Sequence, residues 1–185
     1  RSLKTSYNPD YVFTIGKHCN KEFNKLSRFK KTKSIIIGSN KFNKIKSVKM
    51  KDQLNILILP EGIKSECLRL FRYSLDCADF LPEAQFILRV HPILNIENII
   101  KSFPKIRYKK NIIISKNIIS DDYKIANFAI FSGSSSIIQA VSNGLKPIYY
   151  SLNNNLNINP LYNIEKYIYT LTDRKSLINF INNKE

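Results

Sequence analysis

Short apolar runs of strand length recur along this chain, and the segments between them repeat their apolar residues with helical period. Residues 11–15 (YVFTI) predict a strand, followed by a polar-faced helix over about 21–29. Residues 34–37 (SIII) predict a second strand ending at Gly38, and 54–59 (LNILIL) a third, closed by Pro60-Glu61-Gly62. A long helix over about 64–80 sets Cys67, Leu68, Leu70, Phe71, Leu75 and Ala78 on or near one face. The strand 85–90 (QFILRV) stops at His91-Pro92, and 111–114 predicts a short strand. Ser120-Asp121-Asp122 reads as a helix N-cap with acids in the first turn, leading into a short helix to 127. Residues 128–131 (FAIF) predict a strand, 134–143 a helix ended by Gly144, and 146–150 (KPIYY) another strand. An Asn-rich loop over 153–159 and a helix over 175–182 complete the chain.

Alternation of strands and helices predicts an α/β, Rossmann-like fold, a parallel sheet with helices on both faces. Strands such as SIII, NILIL and FAIF agree, because a strand buried on both sides need not alternate apolar with polar. At 185 residues the chain suits one domain with a proper core and is short for two. It begins at Arg1 and its only methionine is Met50, which reads as a fragment or a processed piece. Residues 1–50 are expected to be a basic connecting segment with one or two strands, the edge of an N-terminal domain outside this sequence.

Charge changes the picture next. The net charge is +16, and twelve of the thirty Lys and Arg fall between Lys17 and Lys51 against one acid, Glu22. Abundant Asn and Ile accompany the Lys, as an A/T-rich coding bias would produce. A solvated basic face is therefore the leading reading and an anionic membrane surface the second. Nucleic acid ranks last, since Phe23, Phe29 and Phe42 sit at core-like positions and form no stacking platform. No run of about 18 apolar residues is present to span a membrane. Three cysteines (Cys19, Cys67 and Cys77) lack metal-ligand spacing, and reduced thiols in a cytoplasmic protein are expected.

Ligands of an open parallel sheet bind outside the carboxyl ends of its strands, so three loops carry the candidate chemistry. In Pro60-Glu61-Gly62, Gly62 permits a tight turn and Glu61 offers acceptors to hydroxyls; a plain turn with a solvated acid is the alternative. In Arg89-Val90-His91-Pro92, His91 is placed to donate to a phosphate, Arg89 lies on the same side of the strand, and Pro92 fixes the exit of the chain. A satisfied structural histidine is the competing reading. In Ser132-Gly133-Ser134-Ser135-Ser136, small residues, hydroxyls and a helix N-terminus would hold an anion by dipoles, unless the serines simply cap the helix.

The order strand–His91-Pro92, then strand–serine turn–helix–Asn143-Gly144-Leu145-Lys146-Pro147–strand resembles the C-terminal, donor-binding domain of GT-B glycosyltransferases. It is most similar to bacterial sialyltransferase-like, polysialyltransferase-like and capsule-type enzymes. NILILPEGIKSECLRLF and FILRVHP look like surface carbohydrate biosynthesis proteins of that group, and the match covers roughly residues 51–151. The first fifty residues fit more loosely, through SIIIGSNKF. The resemblance implies that 51–185 is a nucleotide-sugar-binding domain, with His91 and Ser134, Ser135 and Ser136 on phosphate and Gly133 allowing its approach. Gln139 stands where many GT-B enzymes have a glutamate on the ribose or the sugar. The implied donor is a CMP-linked nonulosonic or Kdo-type sugar, and the acceptor a glycan or lipid-linked glycan. No metal or cofactor is implied, the catalytic base would come from the other domain, and the setting would be the cytoplasm or the inner membrane face. A CDP-glycerol-type phosphotransferase half-domain and a non-catalytic binding module of the same fold are the alternatives.

Overall fold

The structure is a computed structural model of the chain, describing residues 8–26, 29, 31–39, 52–151 and 158–183. It divides into two compact units, Arg1–Asn43 and Lys44–Glu185.

In the first unit, strand β1 (Tyr11–Thr14), helix α1 (Lys17–Leu26) and strand β2 (Lys33–Ile36) form a β–α–β crossover with the two strands parallel. Helix α1 starts four residues before the sequence pattern suggests. Asn20 donates to Thr14 Oγ1, and Asn24, one turn on, accepts from the Ser34 hydroxyl. Polar residues therefore serve as inward contacts, which a search for apolar period passes over. Tyr11, Phe13, Ile15, Ile35 and Ile37 stay exposed.

The second unit begins with β3 (Asn55–Leu59), α2 (Lys64–Ala78), β4 (Gln85–Leu88), α3 (Ile96–Lys101), a 3-10 turn (Pro104–Tyr108) and β5 (Ile112–Ile114). It continues with α4 (Ile119–Ile125), β6 (Phe128–Phe131), α5 (Ser136–Ser142), β7 (Lys146–Tyr150), a second 3-10 segment (Tyr162–Tyr167), β8 (Tyr169–Leu171) and α6 (Arg174–Asn182). The six strands are all parallel, in the order β5-β4-β3-β6-β7-β8. The chain starts in the middle, moves outward to β5, crosses back to β6 and moves outward again. That is the doubly wound order of a Rossmann sheet, with its switch point between β3 and β6. The expected fold class holds.

Strand β3 is buried along its whole length, and its alternate residues feed two cores. Ile56 and Ile58 join Leu70, Phe71, Phe86, Leu88, Phe128 and Ile130 beneath α2, α3 and α6. Leu57 and Leu59 join Ile87, Ala129, Phe131, Ile137 and Ala140 beneath α4 and α5. Helix α3 and strand β8 went unpredicted, since each buries a single side chain, Ile99 and Leu171, and so carries no period. Helix α4 begins after Ile118, without a side-chain cap, so Ser120 does not cap it. Cys67 and Cys77 are unpaired in the core and Cys19 is exposed and unpaired; burial pushes the Cys67 and Cys77 thiols up to about 12. Among the described residues, no helix is long and apolar enough to cross a membrane.

At the amino end of the sheet, the Asn111 side-chain amide donates to the carbonyls of Ala78, Leu81 and Ala84, holding the turn between α2 and β4. Asn111→Ala leaves those carbonyls without the amide and is expected to lower stability by about 2 kcal/mol. Urea unfolding should register this as a lower midpoint at unchanged slope.

Candidate functional site

The three loops singled out in the sequence leave the carboxyl ends of β3, β4 and β6, which are neighbours in the sheet, so pairing alone brings them together. Side-chain packing then joins them. A methyl group added at Gly62 would lie 2.9 Å from Ile93 Cγ2 and 3.4 Å from His91 Nδ1, so the β3 loop packs against the histidine loop. One added at Gly133 would lie 2.8 Å from Glu61 Oε1 and 2.8 Å from Ile158 Cδ1, so the Glu61 carboxylate rests on the serine turn. Glycine at these two positions makes room for close approach rather than for unusual backbone angles.

Between the loops lies a cleft of about 240 Å³, lined by Pro60, Arg89, His91, Pro92, Ser136 and Gln139 among others. It is smaller than a groove of about 340 Å³ on the surface of α2, lined by Arg72, Asp76, Asp79, Phe103 and Lys105, which contains none of the candidate residues. The smaller cleft is the relevant one on position, because it sits at the carboxyl edge beside the switch point.

His91 Nδ1 accepts the backbone N–H of Ile93, at 3.3 Å. In the neutral ring this places the remaining proton on Nε2, which is then a donor. The serine turn divides its labour. Ser132 is buried and donates to the Tyr150 carbonyl, tying β6 to β7. Ser134 is buried, Ser135 is exposed, and Ser136 lines the cleft. Ser135 holds the N-cap position yet makes no side-chain cap bond, so simple helix capping does not explain this turn. Helix α5 has only seven residues, so local N–H and O–H donors matter here more than its dipole.

Arg89 lies against a carboxylate that the sequence did not point to. Its Nη1 donates to Asp122 Oδ2 at 2.7 Å and to the Asn117 carbonyl at 2.8 Å. Asp122, read from the sequence as a first-turn acid, is fully buried and also accepts the Ser115 hydroxyl. Nothing in the order of residues around 115–122 announces this, because Arg89 follows β4 and Asp122 lies in α4, separate elements brought together only by the fold.

Comparison with known proteins bears on the fold. No protein-family model matches the sequence, and no curated protein matches it. Among solved structures, Staphylococcus aureus MnaA in complex with UDP superposes with a TM-score of 0.63 at 9% identity, over 94% of this chain and 50% of that one. A Listeria monocytogenes protein assigned as a UDP-N-acetylglucosamine 2-epimerase gives 0.60 at 14% identity, over 95% of this chain and 52% of its own. The likeness is one of fold. This chain spans about half the length of those neighbours, and its sheet is Rossmann-like, as the strand pattern predicts, and matches their GT-B-like fold.

A second buried carboxylate, Glu66, supports the β3 loop from below. It is 3% exposed, and its Oε2 accepts the backbone N–H of Glu61 at 3.0 Å. Its other oxygen is buried without a hydrogen-bond partner. Glu66 lies one turn before Leu70 on the inward face of α2. Burial pushes its pKa up from 4.5 to about 7; the Glu61 N–H bond opposes this, the Glu61 charge adds to it, and Arg69 opposes it. As pH rises from about 4.5 to 7, the unfolded chain has lost this proton while the folded chain retains it. Glu66 therefore contributes most below pH 4.5, and that contribution is lost as pH rises through 7. Glu66→Gln keeps the acceptor and removes the ionisation. The melting temperature of the variant, measured relative to the unsubstituted protein, should be higher by a few degrees at pH 8 than at pH 5.

Proposed function

We propose that the second unit binds a nucleotide-activated sugar, as part of an enzyme that transfers that sugar in bacterial surface polysaccharide synthesis. The observation that carries this reading is the cleft at the switch point, where His91, Ser136 and Gln139 line one space. A nucleotide's phosphate is the group such a cleft suits. His91 Nε2 offers a donor from the β4 side, and Ser136, with the amide edge of the 134–136 turn, offers donors from the β6 side. Gly133 lets the backbone come close, and Pro92 turns the chain away from the ligand. Glu61 and Gln139 supply acceptors and an amide for ribose or sugar hydroxyls. Proton transfer in the reaction falls to groups outside this cleft, since among the described lining residues the acid–base side chain is His91, and its donor is committed to the phosphate.

The solved neighbours bear on the nucleotide. One of them was solved with UDP and the other is assigned to a UDP-sugar, which supports a uridine diphosphate over the CMP donor implied by the sialyltransferase-like motifs. They also favour a second reading, in which the reaction is epimerisation of a UDP-sugar rather than its transfer. Product analysis separates the two: incubation with UDP-N-acetylglucosamine yields a C2 epimer in one case and a lengthened acceptor in the other.

Nucleotide binding is the direct test. Among UDP, CMP, CDP and GDP, UDP should raise the melting temperature most, because a ligand of the native state stabilises it by mass action. His91→Ala and Ser136→Ala should each weaken UDP by at least about tenfold in calorimetry, roughly one charge-assisted hydrogen bond. Equal affinity in both variants and the parent protein would remove this cleft from consideration.

A further inference from the structure

We propose that Asp122, backed by Ser115, is a positioning residue that holds Arg89 with its outer edge turned to an oxyanion in the cleft. The proposal rests on the nucleotide reading only in taking that oxyanion to be a phosphate.

A guanidinium carries five N–H donors on three nitrogens. In Arg89 every hydrogen bond made within the protein leaves from Nη1, to Asp122 Oδ2, the Asn117 carbonyl and, at 3.5 Å, Ser115 Oγ. Nε and Nη2, with three N–H groups between them, take no partner among the described residues, and neither is sealed from solvent. Arg89 is also a wall of the cleft that contains His91 and Ser136. An arginine built only to staple two elements would spend its fork on both oxygens of the carboxylate. Here the contact is through one nitrogen, which leaves the Nε–Nη2 edge of a cleft-lining residue for an anion.

Asp122 is built to hold that orientation. It is fully buried, its two oxygens accept the Ser115 hydroxyl at 2.8 and 2.6 Å, and Asn117 Nδ2 approaches Oδ1. Ser115 directly follows β5 and its own N–H is bonded to the Leu88 carbonyl, so the carboxylate is fixed to the end of β4 from which Arg89 leaves. The arrangement pre-orients a long side chain whose rotamer freedom would otherwise be lost when the ligand binds.

Charge and position make opposite predictions here. Removing a negative charge from beside the cleft should strengthen anion binding if charge alone governs it. If position governs it, Asp122→Asn frees Arg89 to swing into solvent and weakens binding. The probe is inorganic pyrophosphate, titrated calorimetrically into the 185-residue protein, with the Arg89 Nε–H resonance followed by NMR and assigned by its loss in Arg89→Gln. The expected result is a shift of that resonance on titration, a loss of about tenfold or more in affinity for Asp122→Asn, and no further loss when Asp122→Asn is added to Arg89→Gln. Ser115→Ala, which keeps both charges, should show a smaller loss in the same direction, and it carries the test if Asp122→Asn does not fold. Unchanged or tighter pyrophosphate binding in a folded Asp122→Asn or, failing that, in Ser115→Ala overturns the proposal. So does an unmoved Arg89 resonance in the parent protein, whether or not pyrophosphate binds elsewhere. Parallel titration with UDP separates the two ideas: pyrophosphate bound through Arg89 without UDP binding sinks the nucleotide reading alone, and UDP bound equally well by Arg89→Gln sinks this one alone.

Discussion

The pairing of β3 with β6 joins segments about seventy residues apart, and the site exists only because that pairing is made in one register. Two buried asparagines fix it at the amino end. The Asn127 N–H donates to the Asn55 carbonyl, and the Asn55 N–H donates to the Asn127 side-chain oxygen, each at 2.9 Å. Asn55 Nδ2 then donates to the Ile125 carbonyl at 2.8 Å, binding the end of α4 into the same clasp. A slip of one residue would exchange Ile56 and Ile58 for Leu57 and Leu59 between the two cores. At the other end of the same strands it would carry Gly133 away from Glu61. Two amide side chains therefore set the geometry of a cleft on the far edge of the sheet.

The strands that carry the loops were legible because each contains a short apolar run closed by turn-forming residues: Pro60 after β3, His91-Pro92 two residues beyond β4, and Ser132-Gly133 after β6. Strand β6 and strand β7 fall where the pattern sets them, at Phe128–Phe131 and Lys146–Tyr150. Position along a doubly wound sheet then gathers the loops, so the lining of the cleft by His91, Ser136 and Gln139 follows from topology once the strands are right. What the sequence hid is the layer beneath. Asp122 and Glu66 look like helix first-turn acids, favourable near any helix N-terminus and ordinarily solvated. Only the packing of α4 against the sheet, and of α2 beneath the β3 loop, turns them inward onto Arg89 and the Glu61 backbone. Periodicity reports which face of an element is apolar, and it is silent when that face includes a carboxylate satisfied by a distant partner.

Those inward carboxylates also give the cleft a character unlike the rest of the surface. The chain as a whole carries +16, yet among the described residues the cation lining this space, Arg89, is matched by Asp122, and Glu61 stands near its edge on the serine turn. A strongly positive surface raises the local concentration of any anion, in proportion to its charge and with little regard to its shape, and salt weakens the effect. Donors fixed at short range discriminate by geometry and are screened far less. Long-range attraction and local selection are thus carried by different residues. The excess Lys and Arg would draw phosphates of every kind toward the protein. On the proposed reading, a near-neutral cleft would hold only those whose oxygens reach the His91 imidazole, the serine turn and Arg89 together. Were the cleft itself strongly cationic, any small anion would compete on equal terms, and the shape built by Gly62 and Gly133 would confer little selectivity.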